Sequence, residues 1–286
     1  MKPIVTIALP VYNGGATLKL AVHSILQQSF TDWELIILND ASTDNSLEVM
    51  HSFDDPRICL VEGEKNMGLS ARLNMAVDMA RGDYFARMDQ DDISYPQRIE
   101  KQRNYLQSHP EVDLLATNYA VFNDDFEWLG KLSVPQQHHD ICQKPWSGFY
   151  LPHPTWMGKL DWFKRHRYHS YADGAEDQNL LLRSYAESCF ACLDEVLLAY
   201  RQNDRPLKHK LRARYRYAKA AFASYGLRDA DHIAVKVFIV QLAKCLGDVA
   251  NVCFRAFGLQ RQLLPLQDKE KRYLNVFIEG YKTDEN

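Results

Sequence analysis

The chain has 286 residues, of which 46% are hydrophobic and 25% charged, and its formal net charge is −3. That length and apolar content allow one large packed domain, or one with a small annex. The slight acidity argues against a nucleic-acid partner. Met1-Lys2-Pro3 leads directly into a strand pattern, so no signal peptide is read. The cysteines at 59, 142, 189, 192, 245 and 253 are scattered. Cys189-x-x-Cys192 has no second pair, so it reads as structural thiols in a reducing, cytoplasmic setting.

Taken in order, Ile4–Leu9 reads as a buried strand, and Pro10-Val-Tyr-Asn-Gly-Gly15 breaks it as a loop. Leu18, Ala21, Val22, Ile25 and Leu26 put one apolar face on a helix over Thr17–Gln28. Glu34–Leu38 is the next strand and Asn39–Asp44 the loop after it. Ser46–Phe53 reads as helix and Ile58–Val61 as a short strand. Leu69, Leu73, Ala76, Val77 and Ala80 mark a further amphipathic helix, and Tyr84–Met88 a further buried strand. Alternation of this kind predicts an α/β, doubly wound, mostly parallel sheet. Its ligands bind beyond the carboxyl ends of the strands, where the loops 10–15, 39–44 and 89–92 converge.

The last of these loops carries three carboxylates, Asp89, Asp91 and Asp92, at the end of a buried strand. Clustered carboxylates repel one another, and a hard divalent cation is the economical counter-charge. The plainer alternative is an acidic turn before a helix starting near Ser94 and Pro96. Neither the dinucleotide nor the triphosphate glycine loop is present. A phosphate ligand therefore needs a bridging cation, with Arg72 or Arg87 adding charge. Tyr12 offers an aromatic face for a base, and Asp40 an acceptor for a base N–H. The plain alternatives are a turn at Tyr12, a helix cap at Asp40 and a solvated helix face at Arg72.

Several ordered motifs carry a resemblance. They are Pro10-Val-Tyr-Asn13, the run Leu20–Phe30 ending Gln-Gln-Ser-Phe, Asn39-Asp-Ala-Ser-Thr-Asp44, Asn66-x-Gly68-Leu69-x-x-Arg72-x-Asn74, Ala80-Arg-Gly-Asp-Tyr84, Asp89-Gln-Asp-Asp92 and Glu176-Asp177. Over about residues 4–203 the chain resembles the inverting family-2 glycosyltransferases of GT-A fold, in particular bacterial enzymes of capsule, exopolysaccharide and O-antigen synthesis. The resemblance implies a GT-A domain over 1–203, with a nucleotide-binding half (1–122) and an acceptor half (123–203), followed by a helical region at 204–286. It implies that Pro10, Tyr12, Asp40 and Arg72 hold the nucleotide, most often uridine, joined by Asp89 of the D-x-D pair. Asp91 would bind Mn2+ or Mg2+ through the diphosphate, with Asp92 adjacent. Asp177 would be the catalytic base, with Glu176 as the alternative base or an orienting group. Such a base is needed because a sugar hydroxyl is a poor nucleophile until its proton is taken.

The acceptor half is less regular. Val112–Thr117 and Tyr119–Phe122 read as strand, and Cys189–Leu193 with Val196–Tyr200 as a strand pair. Trp128, Trp146, Tyr150, Trp156 and Trp162 are divided between core packing and a sugar-stacking platform. His138-His-Asp-Ile-Cys142 has poor spacing for zinc. His153, between Pro152 and Pro154, is open to a cleft role or a structural one. Arg201 follows Tyr200 in Tyr-Arg-Gln-Asn203, where the family tends to have histidine in the last place. Asn39 stands where an aspartate is more usual.

In the annex, Arg205, Lys208, Lys210, Arg212, Arg214, Arg216 and Lys219 flank an apolar helical stripe. Ile233–Gly258 is a wide-faced amphipathic helix whose apolar runs are too short to span a bilayer. Two readings stand: packing on the core or a second subunit, as in a homodimer, or contact with an anionic inner-membrane face and a lipid-linked acceptor. The partners implied are a nucleotide-sugar donor and a glycan or lipid-linked glycan acceptor, without nucleic acid. A nucleotidyltransferase is the first rival, but it would carry basic residues in the loop 10–15. A non-catalytic scaffold is the second, but it would have lost members of the acidic set.

Overall fold

The computed structural model describes residues 2–202, 206–226, 232–254 and 263–284. Four parallel strands form one side of a single sheet. They are β1 (Val5–Val11), β2 (Trp33–Asn39), β3 (Ile58–Val61) and β4 (Tyr84–Arg87), in the order β3-β2-β1-β4. Helices α1 (Leu18–Leu26), α2 (Ser46–His51) and α3 (Leu69–Met79) connect them. Side chains alternate between faces along a strand, and both faces here are covered. Val5, Ile7 and Leu9 pack with Leu18, Ala21 and Ile25 of α1. Ala8, Ile36 and Phe85 pack with Leu73, Ala76 and Val77 of α3. This explains why the strands read as continuous apolar runs.

Beyond β4 the sheet becomes mixed. The two-residue β5 (Ile93–Ser94) and α4 (Arg98–Ser108) come first, then β6 (Leu114–Phe122) and β7 (Trp128–Leu132). Short helices α5 (His138–Ile141) and α6 (Leu160–Arg165) flank β8 (Met157–Lys159), and α7 (Glu176–Ser184) precedes β9 (Phe190–Arg201). β8 lies antiparallel between β4 and β6, β6 runs parallel to β9, and β5 closes the edge antiparallel to β9.

The strand pair expected at 189–200 is instead one continuous strand, β9. Its register against β6 slips around Asn118. At that point Asp194 accepts a hydrogen bond from Asn118 Nδ2 (2.8 Å), and Glu195 pairs with Lys101. The two acids break the apolar pattern while the backbone ladder resumes beyond them, as at a β-bulge. The start expected near Ser94 also moves: Ser94 is in β5, and α4 begins at Arg98.

Three longer helices follow: α8 (Leu207–Tyr225), α9 (Ile233–Phe254) and α10 (Asp268–Asp284). Tyr217 and Ala221 of α8 and Ile233, Ala234 and Val237 of α9 belong to the same buried cluster as Phe149 and Leu180. Leu274, Phe277 and Ile278 of α10 pack with Ile93, Tyr95 and Phe122. Tyr95 Oη donates to the Glu270 carbonyl (2.9 Å), and Lys131 pairs with the Glu270 carboxylate (2.9 Å). Among the described residues, no helix is long and apolar enough to cross a membrane. Asn203, Arg205 and residues 255–258 of the sequence reading lie outside the described residues.

Candidate active site

Asp40 follows β2 directly and is buried. Its Oδ1 accepts from Arg72 Nε (2.7 Å) and the Met67 amide (2.8 Å), and its Oδ2 from the Gly68 amide (2.9 Å). The pair bridges the end of β2 to the first turn of α3. Arg72 is 2% exposed, so it is not a solvated helix-face residue. Asn39 Oδ1 accepts from the Ser42 amide (3.0 Å), which shapes the turn after β2. Tyr12 is half exposed, and its backbone is held on both sides by Gln90: its amide donates to Gln90 Oε1 (2.8 Å) and its carbonyl accepts from Gln90 Nε2 (3.1 Å). Gln90, the residue between Asp89 and Asp91, thus ties the first loop to the acidic loop.

Asp89, Asp91 and Asp92 present carboxylate oxygens that all lie within 4.8 Å of one another. Asp89 is gripped by the buried Arg87, whose Nη1 donates to its Oδ2 (2.6 Å). Burial, then Asp89, push the Asp91 carboxyl up to about 6. Asp92 is raised well above the usual carboxylate range, by burial and then by Asp89 and Asp91. Asp92 Oδ1 accepts from the Arg201 amide (2.9 Å), while its Oδ2 is buried with no hydrogen-bond partner. Close hard oxygens, mutual repulsion and an orphaned buried carboxylate oxygen are what a divalent cation relieves, so this set fits Mn2+ or Mg2+.

Two arginines support the loop. Arg201 stacks over the Phe122 and Phe126 rings and donates from Nε to the Asp91 carbonyl (3.1 Å). Arg98, fully buried, donates from Nη2 to the Arg87 carbonyl (2.6 Å). Burial lowers its pKa to about 9, against the pull of Asp92. Sequence reasoning missed Gln90 and Arg98. The Gln between two aspartates was a visible signal, whereas Arg98 looked like any helix arginine.

The second acidic pair opens α7. Glu176 is buried, and its Oε2 accepts from the Gly174 amide (2.7 Å). Burial, then Asp177, push its carboxyl up to about 7. Asp177 is half-buried, is raised by the same desolvation, and accepts from Gln178 Nε2 (3.1 Å). His153 is buried, 2.9 Å from the Tyr168 hydroxyl and 3.7 Å from Glu176. Burial, then Arg87, hold it well below the usual histidine range, so it is neutral.

These groups meet in one cavity of about 570 Å³. Pro10, Tyr12, Asp40 and Arg72 line it, as do Asp89 and Asp91, His153, Glu176 and Asp177. Asp92 and Arg201 do not line it: both are buried, and they hold the acidic loop from behind. Arg72 and Arg87 line it already ion-paired, so neither is a spare cation for a phosphate. Trp156 and Trp162 are fully buried core residues, and Tyr150 is 55% exposed. His138 Nδ1 accepts from the Phe190 amide (3.1 Å). Among the described residues, the aspartates of 89–92 are the one acid, histidine or cysteine group close enough to share a metal ion. Cys189 and Cys192 are free thiols.

A parallel half-sheet with an acidic loop at its strand ends and a second acidic pair in the same cavity give the protein a GT-A fold. The model of "Glycosyl transferase family 2" matches residues 6–167, and the chain belongs to that family. It is 39% identical over 136 residues to the putative glycosyltransferase EpsE of Bacillus subtilis, covering 46% of this chain and 49% of EpsE. It is 31% identical over 134 residues to WfgD of Escherichia coli, a UDP-Glc:alpha-D-GlcNAc-diphosphoundecaprenol beta-1,3-glucosyltransferase, covering 47% and 52%. The chain thus spans about half the length of these curated relatives. Among solved structures, the mannosyltransferase PcManGT of Pyrobaculum calidifontis, in complex with GDP-Man and Mn2+, aligns over 100% of this chain and 81% of its own. Its TM-score is 0.63 at 15% identity, a likeness of fold.

Proposed function

We propose that this chain is a metal-dependent, inverting glycosyltransferase that moves a sugar from a nucleotide-sugar, UDP-linked by preference, to a glycan or lipid-linked glycan in surface polysaccharide synthesis. The single observation that carries the reading is one cavity bounded by the Asp40–Arg72 pair, the Asp89–Asp91 loop and Asp177. Tyr12 and the Asp40–Arg72 pair hold the base end of the donor. Asp89 and Asp91, backed by Asp92, would hold Mn2+ or Mg2+, which supplies positive charge for the leaving diphosphate. Arg87 keeps Asp89 oriented, and Gln90 keeps the base-binding loop in register with the acids.

Asp177 takes the proton of the acceptor hydroxyl as that oxygen attacks the anomeric carbon. The bond from that carbon to the diphosphate breaks on the far side, so the configuration inverts. The raised pKa of Asp177 makes it a better base than a solvated aspartate. Glu176 shares its backing with Gly174 and orients the turn.

The test is a melting panel of UDP-, GDP-, dTDP- and CMP-sugars, each with Mn2+ and with EDTA. A ligand at 100 times its Kd adds about 2.7 kcal/mol, a shift of several degrees. UDP-sugars should stabilise only with Mn2+. Equal stabilisation in EDTA removes the metal from the reading, and no stabilisation by any donor overturns it.

A further inference from the structure

We propose that Gln90 is a positioning residue that couples the cation site to the base site directly, so that nucleoside and cation strengthen each other's binding with no phosphate between them. The proposal rests on the reading that Tyr12 and the Asp40–Arg72 pair hold the base and that the aspartates of 89–92 hold the cation.

The backbones of β1 and β4 pair from Val5 and Tyr84 to Ala8 and Arg87, and the Met88 amide then donates to the Ala8 carbonyl (3.0 Å). Beyond that bond the two chains part, one into the loop 10–15 and the other into the acidic loop. Gln90 closes the gap with its side chain. Its Oε1 accepts from the Tyr12 amide (2.8 Å) and its Nε2 donates to the Tyr12 carbonyl (3.1 Å). A primary amide that faces one residue's N–H and C=O together reproduces a rung of a β-ladder. Gly14 leaves the room for it: a Cβ there would lie 2.5 Å from Gln90 Cδ and Oε1.

The far side of the loop 10–15 is sewn to the loop after β2. The Asn13 amide donates to Ser42 Oγ (3.0 Å), the Thr43 amide to Asn13 Oδ1 (2.8 Å) and the Gly15 amide to Asp44 Oδ2 (2.9 Å). Asn13 itself has a φ of +51°, a conformation that its surroundings must hold in place. The backbone that presents the Tyr12 ring to the cavity is therefore set from two sides, by the Asp40 loop and by Gln90.

Gln90 is one peptide away from both Asp89 and Asp91. The Asp89 carboxylate is held by Arg87 Nη1 (2.6 Å), and the Asp91 carbonyl by Arg201 Nε (3.1 Å). With these flanks anchored, what varies is how closely the two like-charged carboxylates approach. Sharing a cation they close up and fix the backbone of residue 90; repulsion otherwise spreads them. The Gln90 amide carries that difference to Tyr12. The coupling is reciprocal: the factor by which the cation tightens the nucleoside is the factor by which the nucleoside tightens the cation.

Uridine, which has no phosphate, is the probe, its affinity for the whole chain measured by saturation-transfer NMR in Mg2+ and in EDTA. Mg2+ should tighten wild-type uridine binding about fivefold or more. Gln90→Leu removes both bonds at similar volume, whereas Gly14→Ala keeps the glutamine and displaces its amide. Each variant should bind uridine equally in Mg2+ and in EDTA, and more weakly than wild type in Mg2+. Unliganded melting temperatures check folding, and Gly14→Ala carries the test where Gln90→Leu loses the fold. Coupling of wild-type size in both variants overturns the proposal, because the link then runs elsewhere. Absence of coupling in a wild-type chain that binds UDP with Mg2+ also overturns it and leaves the donor reading standing. A chain that binds neither uridine nor UDP sinks the donor reading and this proposal together.

Discussion

Glu176 and Asp177 are neighbours in sequence but face different surroundings. Glu176 is buried beside a neutral histidine, and Asp177 stands where three cavities meet. Glu176 holds its proton up to about pH 7 in the folded chain, against about 4.5 unfolded. The folded state therefore binds more protons across that window, so this residue makes stability fall as pH rises from about 4.5 to about 7. Glu176→Gln removes that slope, and its melting temperature should exceed wild type at pH 8 and converge with it near pH 5. Asp177→Asn keeps the shape and loses the base. Its kcat should drop by two to four orders of magnitude, roughly the worth of a general base, while donor affinity measured by calorimetry stays within about twofold. Near-normal turnover would move the base to another residue. At this scale the sequence displayed the candidate acids, and the structure brings Asp40, Asp89, Asp91, Glu176 and Asp177 to one cavity. The sequence did not disclose that Arg87 and Arg72 are spent on Asp89 and Asp40, because each pairing depends on where two loops converge.

Elements connect these residues. The first turn of α3 is set by Gly68, whose φ of +86° suits glycine and whose amide donates to Asp40. An added Cβ would lie 2.3 Å from Asp173 Oδ2. Gly68→Ala should cost about 1–3 kcal/mol in chemical denaturation and weaken UDP binding with it, since the same turn holds the Asp40–Arg72 pair. A stable variant with wild-type UDP affinity would break that link. The four parallel strands and their helices were legible from apolar spacing alone. β9 was misread as two strands because Asp194-Glu195 interrupts its pattern, and the slip against β6 that accommodates them is a property of the pair of strands. The three-residue β8 had too few residues to show a period, yet it joins the parallel half of the sheet to the rest.

Across the whole molecule, α10 is part of the core. Leu274 is fully buried against the cluster that contains Phe122, and Phe122 is one of the rings beneath Arg201. Leu274→Ala should destabilise the chain by about 2–5 kcal/mol, as for a buried leucine truncated elsewhere, read from urea denaturation with the full chain. A loss under about 1 kcal/mol would mean that α10 docks loosely. Leu274–Ile278 is a short apolar patch among mostly polar residues, too short for its spacing to announce a docked helix.

The amino-acid sequence by itself determined the α/β alternation and the positions of the loops 10–15, 39–44 and 89–92. Those features rest on local periodicity and local composition, which a single chain displays without folding; Asp177 was singled out by the family resemblance. Tertiary structure decided the rest: the buried arginines around the acids, the docking of α10, and the three cavities meeting at Asp177. Arg201 Nε reaches the Asp91 carbonyl across 110 residues of chain, and Tyr95 reaches Glu270 across 175. Contacts of that range leave no period in the sequence, because what selects them is the shape and charge of a surface that exists only once the sheet has formed.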